Sequence, residues 1–336
     1  MSVEKSAAGD TPSTRPILEM AMAFQRSRVL LTAYELGLFT VINDEWKTSA
    51  EVATALETDS RATDRLMNAL TALGLLDKRD GRFTNSPAAV RFLVKGRPDY
   101  MAGLAHTAHL WQTWSGLTDA VRKGTGVVGD EVNQRGEEWL RAFIGAMHWR
   151  AQELADGIVR LLDLSRVSRV LDVGGGSGAF SMAFVRTGRG IHAVVFDLPN
   201  VVAITKSYVE SAGYGGQIST VVGDYRKDEL PGGFDLVFLS AIVHANSVEE
   251  NRRLIRKCAF ATEPGGRVVI LDQIMNEDRT APASAAMFAL NMLVGTGGGD
   301  TYTESEVRAW MSEAGLRDIT RVDTPFNNAL ILGVRS

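Results

Sequence analysis

The chain has 336 residues, 45% of them hydrophobic, and sets 36 Lys and Arg against 40 Asp and Glu for a formal net charge of -4. That length predicts two folding units, and the slight acidic excess would repel a phosphate backbone, so nucleic acid is not the expected partner. A lone cysteine, Cys258, excludes an internal disulfide; with no Cys/His cluster at ligand spacing it points to the cytoplasm and to no metal, and no run approaches the roughly 18 apolar residues of a membrane span.

The polar segment MSVEKSAAGDTPSTRP lacks the apolar core of a signal peptide, so residues 1–16 are expected to be a disordered tail. Over 17–97 apolar residues recur at helical spacing, and Thr48 followed by Glu51 is a capping box that starts a helix. Asp80-Gly81, between LLDK and RFTN, reads as the turn of a two-stranded wing, so this part is expected to be a winged-helix unit. Its arginines, Arg61, Arg65 and Arg82, alternate with Asp59, Asp64 and Asp80 and make no basic face for DNA. The first helix, with Met20, Met22, Phe24, Val29, Leu30 and Leu31, is too apolar for a surface helix and predicts a homodimer interface.

Residues 98–165 stay helical and concentrate His106, His109, Trp111, Trp114, Trp139, Phe143, Met147, His148 and Trp149. Core packing accounts for most of these, while a minority would line a pocket for an apolar aromatic ligand. Over 166–336 the period changes: SRVLDV, IHAVVF, STVVG, FDLVFL and GRVVILD alternate with helical segments, which predicts a parallel, doubly wound α/β sheet. RDITRV and NALILGV are too close for a crossover helix and should close one edge as an antiparallel hairpin.

In such a sheet ligands bind at the carboxyl ends of the strands. The first run ends in Asp172-Val173-Gly174-Gly175-Gly176-Ser177-Gly178, where glycines let the backbone approach a ligand beside a helix N-terminus. Gly174, Gly176 and Ala179 also satisfy a dinucleotide fingerprint, so the spacing alone leaves a nicotinamide oxidoreductase open. The second run ends in Asp197, a carboxylate able to accept both ribose hydroxyls of an adenosine in either cofactor. The third ends in Gly223-Asp224-Tyr225, an acceptor for an adenine amino group beside a ring that can lie on the base; the fourth ends in Ser240 and, four residues on, His244.

With LDVGGGSG, VVFDLPNVV, GDY, the strand-His segment, EPGGRVVILD and TESEVRAWMSEAGL in this order, nearly the whole chain resembles the small-molecule O-methyltransferases of the plant caffeate and bacterial hydroxyneurosporene type. The resemblance implies a Rossmann-like seven-stranded methyltransferase domain behind an N-terminal helical winged-helix dimerisation domain, and S-adenosyl-L-methionine as cofactor. By similarity Asp172, Gly174, Gly175 and Gly176 face its methionine part, Asp197 and Leu198 the ribose, and Gly223, Asp224 and Tyr225 the adenine, with Ser240 nearby. Phe143-x-x-x-Met147 is similar to the segment that lies over the methyl group, and His244 matches the catalytic histidine. Asp272 matches an acid that orients that base. A second acidic position falls near Gly299-Asp300-Thr301, where Asp300 is open between that role and an ordinary loop residue. Plant members follow the histidine with aspartate; here Ala245 follows.

A phenol, with pKa about 10, is protonated at neutral pH, so histidine is a suitable general base for displacing a methyl group onto it. Trp111, Trp114, Phe143, Met147, Met287, Asn291 and Met292 are the expected substrate contacts, Met adapting to aromatic shapes and Asn fixing one polar group. The reading is thus methyl transfer to a hydroxyl of a small, aromatic molecule. Its rivals are a nitrogen, carbon or sulfur acceptor, the oxidoreductase, and a winged-helix transcription factor.

Overall fold

A computed structural model of the chain describes residues 12–127 and 136–336. It has two compact units divided between Leu104 and Ala105, so the boundary falls seven residues after the expected 97, and most of the 98–165 segment belongs to the second unit. Residues 1–11 of the expected tail lie outside the described residues. The first helix nevertheless begins inside that tail, at Arg15, because Pro16 sits in its first turn, where a missing N–H is harmless.

In the first unit α1 (Arg15–Met22) and α2 (Phe24–Glu35) replace one expected helix, and α3 (Leu38–Ile42), β1 (Lys47–Thr48), α4 (Ser49–Leu56), α5 (Ser60–Ala72), β2 (Leu76–Arg79), β3 (Arg82–Asn85) and α6 (Pro87–Leu93) follow. Thr48 and Glu51 make both bonds of the capping box. Asp80 (φ 50°) and Gly81 (φ 73°) both lie in the left-handed region, as a tight hairpin turn requires, and β1 extends the wing to three strands. Leu38, Phe39, Ile42, Val52, Met67, Leu70, Leu76 and Phe83 form the core. Ile17, Leu18, Met20, Met22 and Phe24 remain exposed.

The second unit opens with helices: α7 (Leu104–Ser115), α8 (Leu117–Lys123) and α9 (Glu137–Val159). The alternating part is β4 (Arg169–Val173), α10 (Ala179–Thr187), β5 (His192–Asp197), α11 (Pro199–Ser211), β6 (Ile218–Val222), β7 (Phe234–Ser240), α12 (Val248–Ala261), β8 (Thr262–Asp272), β9 (Ile274–Met275), α13 (Ala283–Gly295), β10 (Tyr302–Thr303), α14 (Glu304–Glu313), β11 (Leu316–Asp323) and β12 (Ala329–Arg335). The main sheet runs β11-β12-β8-β7-β4-β5-β6. Its β8-β7-β4-β5-β6 pairs are parallel, and β12 is antiparallel to both neighbours, so the predicted edge hairpin is present. The strand β8 starts earlier than GRVVILD because a register shift after Phe234 absorbs Glu263-Pro264-Gly265-Gly266.

β7 is buried on both faces, as a central parallel strand must be. Leu236 and Phe238 join Phe180 and Phe184 on one side, while Val237 and Leu239 join Leu254, Ile255, Cys258 and Trp310 on the other. Phe238 touches Phe180 at 5.0 Å and meets Phe184 edge-on at 5.2 Å between ring centres. Phe238→Ala should therefore lower unfolding stability by about 3–5 kcal/mol, read from a urea melt; a loss under about 1 kcal/mol would mean that the sheet centre is not packed as described. Chain order reverses between β4 and β7, which makes their carboxyl ends the walls of a crevice. The glycine-rich turn leaves β4 there, and the His244 segment leaves β7.

Candidate active site

Three glycines shape the turn after β4. Gly174, Gly176 and Gly178 have φ of 68°, 56° and 76°, the left-handed region that side chains disfavour. Gly175 is required by space: a Cβ there would sit 2.6 Å from the Asp172 carboxyl carbon. Asp172 accepts from the Ser181 hydroxyl at 2.7 Å through Oδ2, while its Oδ1 is buried without a partner. Asp197 ends β5, accepting from the Gly176 N–H at 2.8 Å and the Leu198 N–H at 2.7 Å, one on each oxygen. Gly223 N–H is bonded to the Asp197 carbonyl, and a Cβ on Gly223 would meet the Phe196 ring. These backbone contacts hold the ends of β4, β5 and β6 against one another.

Asp224 is already engaged: Arg226 donates to it through its backbone N–H and guanidinium. Burial pushes this carboxyl up, but those bonds and the positive charge outweigh it and leave it below its ordinary range. Tyr225 is held by a hydrogen bond from its hydroxyl to Asn246 Oδ1 at 3.1 Å. Burial pushes its phenol up to about 12, so it remains a donor at neutral pH. The arrangement fits an adenosyl amino acid: a backbone cradle closed to side chains, a carboxylate for a diol, a ring for a base, and an orphan buried oxygen suited to an ammonium. Among the described residues no group of three His, Cys, Asp or Glu side chains could hold a metal.

At the end of β7, beyond Ser240, Ala241 takes a left-handed φ of 57°, which turns the chain into a 3-10 turn, Val243–Ala245. His244 thereby comes back over the strand end. Its Nδ1 lies 2.8 and 3.0 Å from the two oxygens of Asp272, the last residue of β8, and its ring meets Phe288 edge-on at 4.8 Å. An ionised carboxylate only accepts, so beside it the neutral imidazole carries its proton on Nδ1 and keeps a lone pair on Nε2. The carboxylate is itself fixed by N–H groups of His244 and Gln273. The carboxylate beside the imidazole thus comes from Asp272 on the neighbouring strand and not from position 245. Asp300 does not reach the imidazole; its carboxylate pairs with Arg279, and only its backbone N–H touches the His244 carbonyl.

Comparison with known proteins decides the family. A family model described as the O-methyltransferase domain matches residues 114–317, and the O-methyltransferase dimerisation domain matches 18–95. The chain is 34% identical to a 3-hydroxy-5-methyl-1-naphthoate 3-O-methyltransferase of Streptomyces sahachiroi, over 98% of this chain and 100% of that protein. It is 31% identical to the tetracenomycin polyketide synthesis 8-O-methyl transferase of Streptomyces glaucescens, over 94% and 95%. Among solved structures, that of PigF with SAH superposes with a TM-score of 0.90 at 29% identity, covering 96% of this chain and all of that one. The chain belongs to the O-methyltransferase family. It is an S-adenosylmethionine-dependent O-methyltransferase.

Among the residues expected to contact the acceptor, α7 meets α13: Trp114 Nε1 donates to Asn291 Oδ1 at 2.9 Å. Trp111 lies one turn earlier on α7. On α13 Met287 is largely exposed and Met292 is buried, so the two expected methionines do not share one environment. Phe143 stacks on Trp139, with ring centres 5.2 Å apart, in a cluster with Leu140, Ile144, Val201 and Ile204 beside Leu198. Met147 is half-buried on the same helix. Two residues were missed: Phe288, against His244, and His148, whose Nδ1 lies 2.8 Å from Ser177 Oγ and ties α9 to the glycine-rich turn. In AAMFAL every neighbour of Phe288 is apolar, so only the helix phase could have chosen Phe288 over Met287. Burial pushes His148 below its ordinary value, which keeps that contact neutral at pH 7.

Burial also pushes the Asp172 and Asp197 carboxyls up to about 6. The folded state therefore holds protons that the unfolded chain releases near pH 4, and these two groups reduce stability as pH rises from about 4 to 6. An ammonium and a diol prefer both carboxylates ionised, so S-adenosylhomocysteine (SAH) binding should release protons near pH 6. Calorimetry is expected to find affinity nearly flat above pH 7 and falling as pH drops through 6 towards 5. An affinity unchanged between pH 7.5 and 5 would contradict this account of the two groups.

Proposed function

We propose that the chain methylates a phenolic hydroxyl of a fused-ring aromatic acceptor, with His244 as general base and Asp272 holding its tautomer. The observation that carries the base assignment is the His244–Asp272 pair at the crevice where β4 and β7 part, with Nε2 free of partners within the pair. S-adenosylmethionine supplies an already activated methyl group, so the protein's work is alignment and removal of one proton. Gly174 to Gly176 and Asp172 hold its amino acid end, Asp197 and Leu198 its ribose, and Gly223, Asp224 and Tyr225 its adenine, with Ser240 at the adjoining strand end. Trp111, Trp114, Phe143, Met147, Asn291 and Met292, joined by Phe288, contact the acceptor, with the largely exposed Met287 at its outer edge. Asn291 Oδ1 is taken by Trp114, so its amide presents Nδ2 as a donor to an acceptor oxygen.

A bicyclic or larger ring is favoured because the relatives named above act on a naphthoate and in tetracenomycin synthesis, and because this wall is built from large apolar groups. The exposed apolar residues of α1 and the match to a dimerisation domain support a homodimer through the first unit. The buried single thiol of Cys258 fits the cytoplasm, and among the described residues no helix is long and apolar enough to cross a membrane.

The test is turnover with 3-hydroxy-1-naphthoate, catechol and aniline as methyl acceptors. The naphthoate should exceed catechol by about tenfold or more in kcat/KM, the scale on which apolar pockets discriminate. Preference for catechol, or methylation of aniline alone, would refute the acceptor class.

A further inference from the structure

The 3-10 turn that carries His244 has little internal support, since its own bonds are Ala245 N–H to the Ile242 carbonyl and Asn246 N–H to the Val243 carbonyl. The carbonyls of Val243, His244 and Asn246 are held from outside. Asn251 Nδ2 donates to Val243 at 2.8 Å, the Asp300 N–H to His244 at 3.0 Å, and the Tyr302 hydroxyl to Asn246 at 2.5 Å. At Gly299 a Cβ would come within 2.4 Å of the His244 carbonyl oxygen, so the loop before Tyr302 presses its backbone on the turn.

Asn246 extends this support towards the cofactor. It is 2% exposed, and Asn251 is fully buried. The orientation of both amides is forced. The Val243 carbonyl can only accept, so Asn251 presents Nδ2 to it and leaves Oδ1; that oxygen accepts Asn246 Nδ2 at 3.2 Å, which in turn leaves Asn246 Oδ1 to accept the Tyr225 hydroxyl at 3.1 Å. One chain of donors and acceptors thus joins Tyr225, three residues past β6, to the turn after β7. Ile242 of this turn also packs where a Gly174 side chain would be.

We propose that Asn246, locked by Asn251, is a positioning residue that fixes the Tyr225 ring and the His244 turn to each other as one unit. The inference rests on the reading of Tyr225 as the adenine contact and His244 as the base. Loss of either end of the Tyr225–Asn246 bond leaves a buried polar atom unpaired, so both segments relax together. A residue that merely filled space would act on stability alone.

The test uses the full-length protein with SAH as probe, in Asn246→Ala, Tyr225→Phe and the double variant. Each single change should weaken SAH about three- to tenfold, and the double should be no weaker than the worse single, because both remove the same link. In protein labelled with nitrogen-15 histidine, the His244 ring signal, identified by its loss in His244→Ala, should move in both single variants. Multiplying affinity losses, or a His244 signal at its wild-type position in both, would overturn the proposal. If Asn246→Ala fails to fold, Tyr225→Phe decides alone by the same two readouts. Tyr225→Ala separates the underlying reading: unchanged SAH affinity there removes the adenine assignment, whereas a large loss there beside a neutral Asn246→Ala sinks only the link.

Discussion

Replacement of His244 by Ala is expected to lower kcat about 10²- to 10⁴-fold, the usual contribution of a positioned general base, while SAH affinity stays within about threefold. The two effects separate because the imidazole projects from the β7 end towards Asp272 and Phe288, whereas the cradle proposed for the cofactor is built from the ends of β4, β5 and β6. Asp272→Asn should fall between wild type and His244→Ala. An amide can present Nδ2 or Oδ1 to His244 Nδ1, and the first choice favours the wrong tautomer, with Nε2 protonated and unable to accept from a phenol. kcat within about threefold of wild type in His244→Ala would move the acceptor chemistry to a mechanism driven by proximity alone.

The second large effect is at Asp197. Its two oxygens organise the Gly176 and Leu198 N–H groups and would receive the ribose hydroxyls on their remaining lone pairs. Hydrogen bonds to a charged group contribute about 1.5–3 kcal/mol each, so losing two should weaken SAH by about a hundredfold or more in Asp197→Ala. Asp197→Asn should be nearly as damaging. Whichever way its amide faces, one NH2 is set against a backbone N–H, so a donor meets a donor. Calorimetry with SAH measures both variants, and a loss below about fivefold in each would remove Asp197 from the cofactor site.

Much of the fold was legible because local rules and the tertiary arrangement agree. The capping box at Thr48, the Asp80-Gly81 turn and the short gap between the last two strands are each local signals with one good structural solution. The glycine-rich turn, Asp197 and Asp224-Tyr225 lie at neighbouring strand ends for the same reason: a doubly wound sheet brings those ends together. The partner of His244 was harder. Only the family resemblance pointed to Asp272, since the residue after the histidine is Ala245; the parallel register of β7 and β8, with Ser240 opposite Leu271, is what brings Asp272 alongside from a distance of 28 residues. The Asn246–Asn251 chain and the Trp114–Asn291 bond were invisible for a related reason. A polar residue in an apolar stretch shows that it needs a partner, not which one it finds. Helix α1 shows the opposite failure, since the polar segment read as a tail to residue 16 supplies, with Arg15 and Pro16, the first turn of the helix.

The central claim is that the phenol oxygen is the methylated atom. Its most direct test incubates the enzyme with S-adenosylmethionine labelled with carbon-13 at the methyl group and 3-hydroxy-1-naphthoate, and reads the product by NMR. The account predicts the label in a methyl ether on the ring hydroxyl, with SAH formed in equal amount and little product from His244→Ala. Label on a ring carbon or as a carboxylate ester, or an equal yield from His244→Ala, would contradict it.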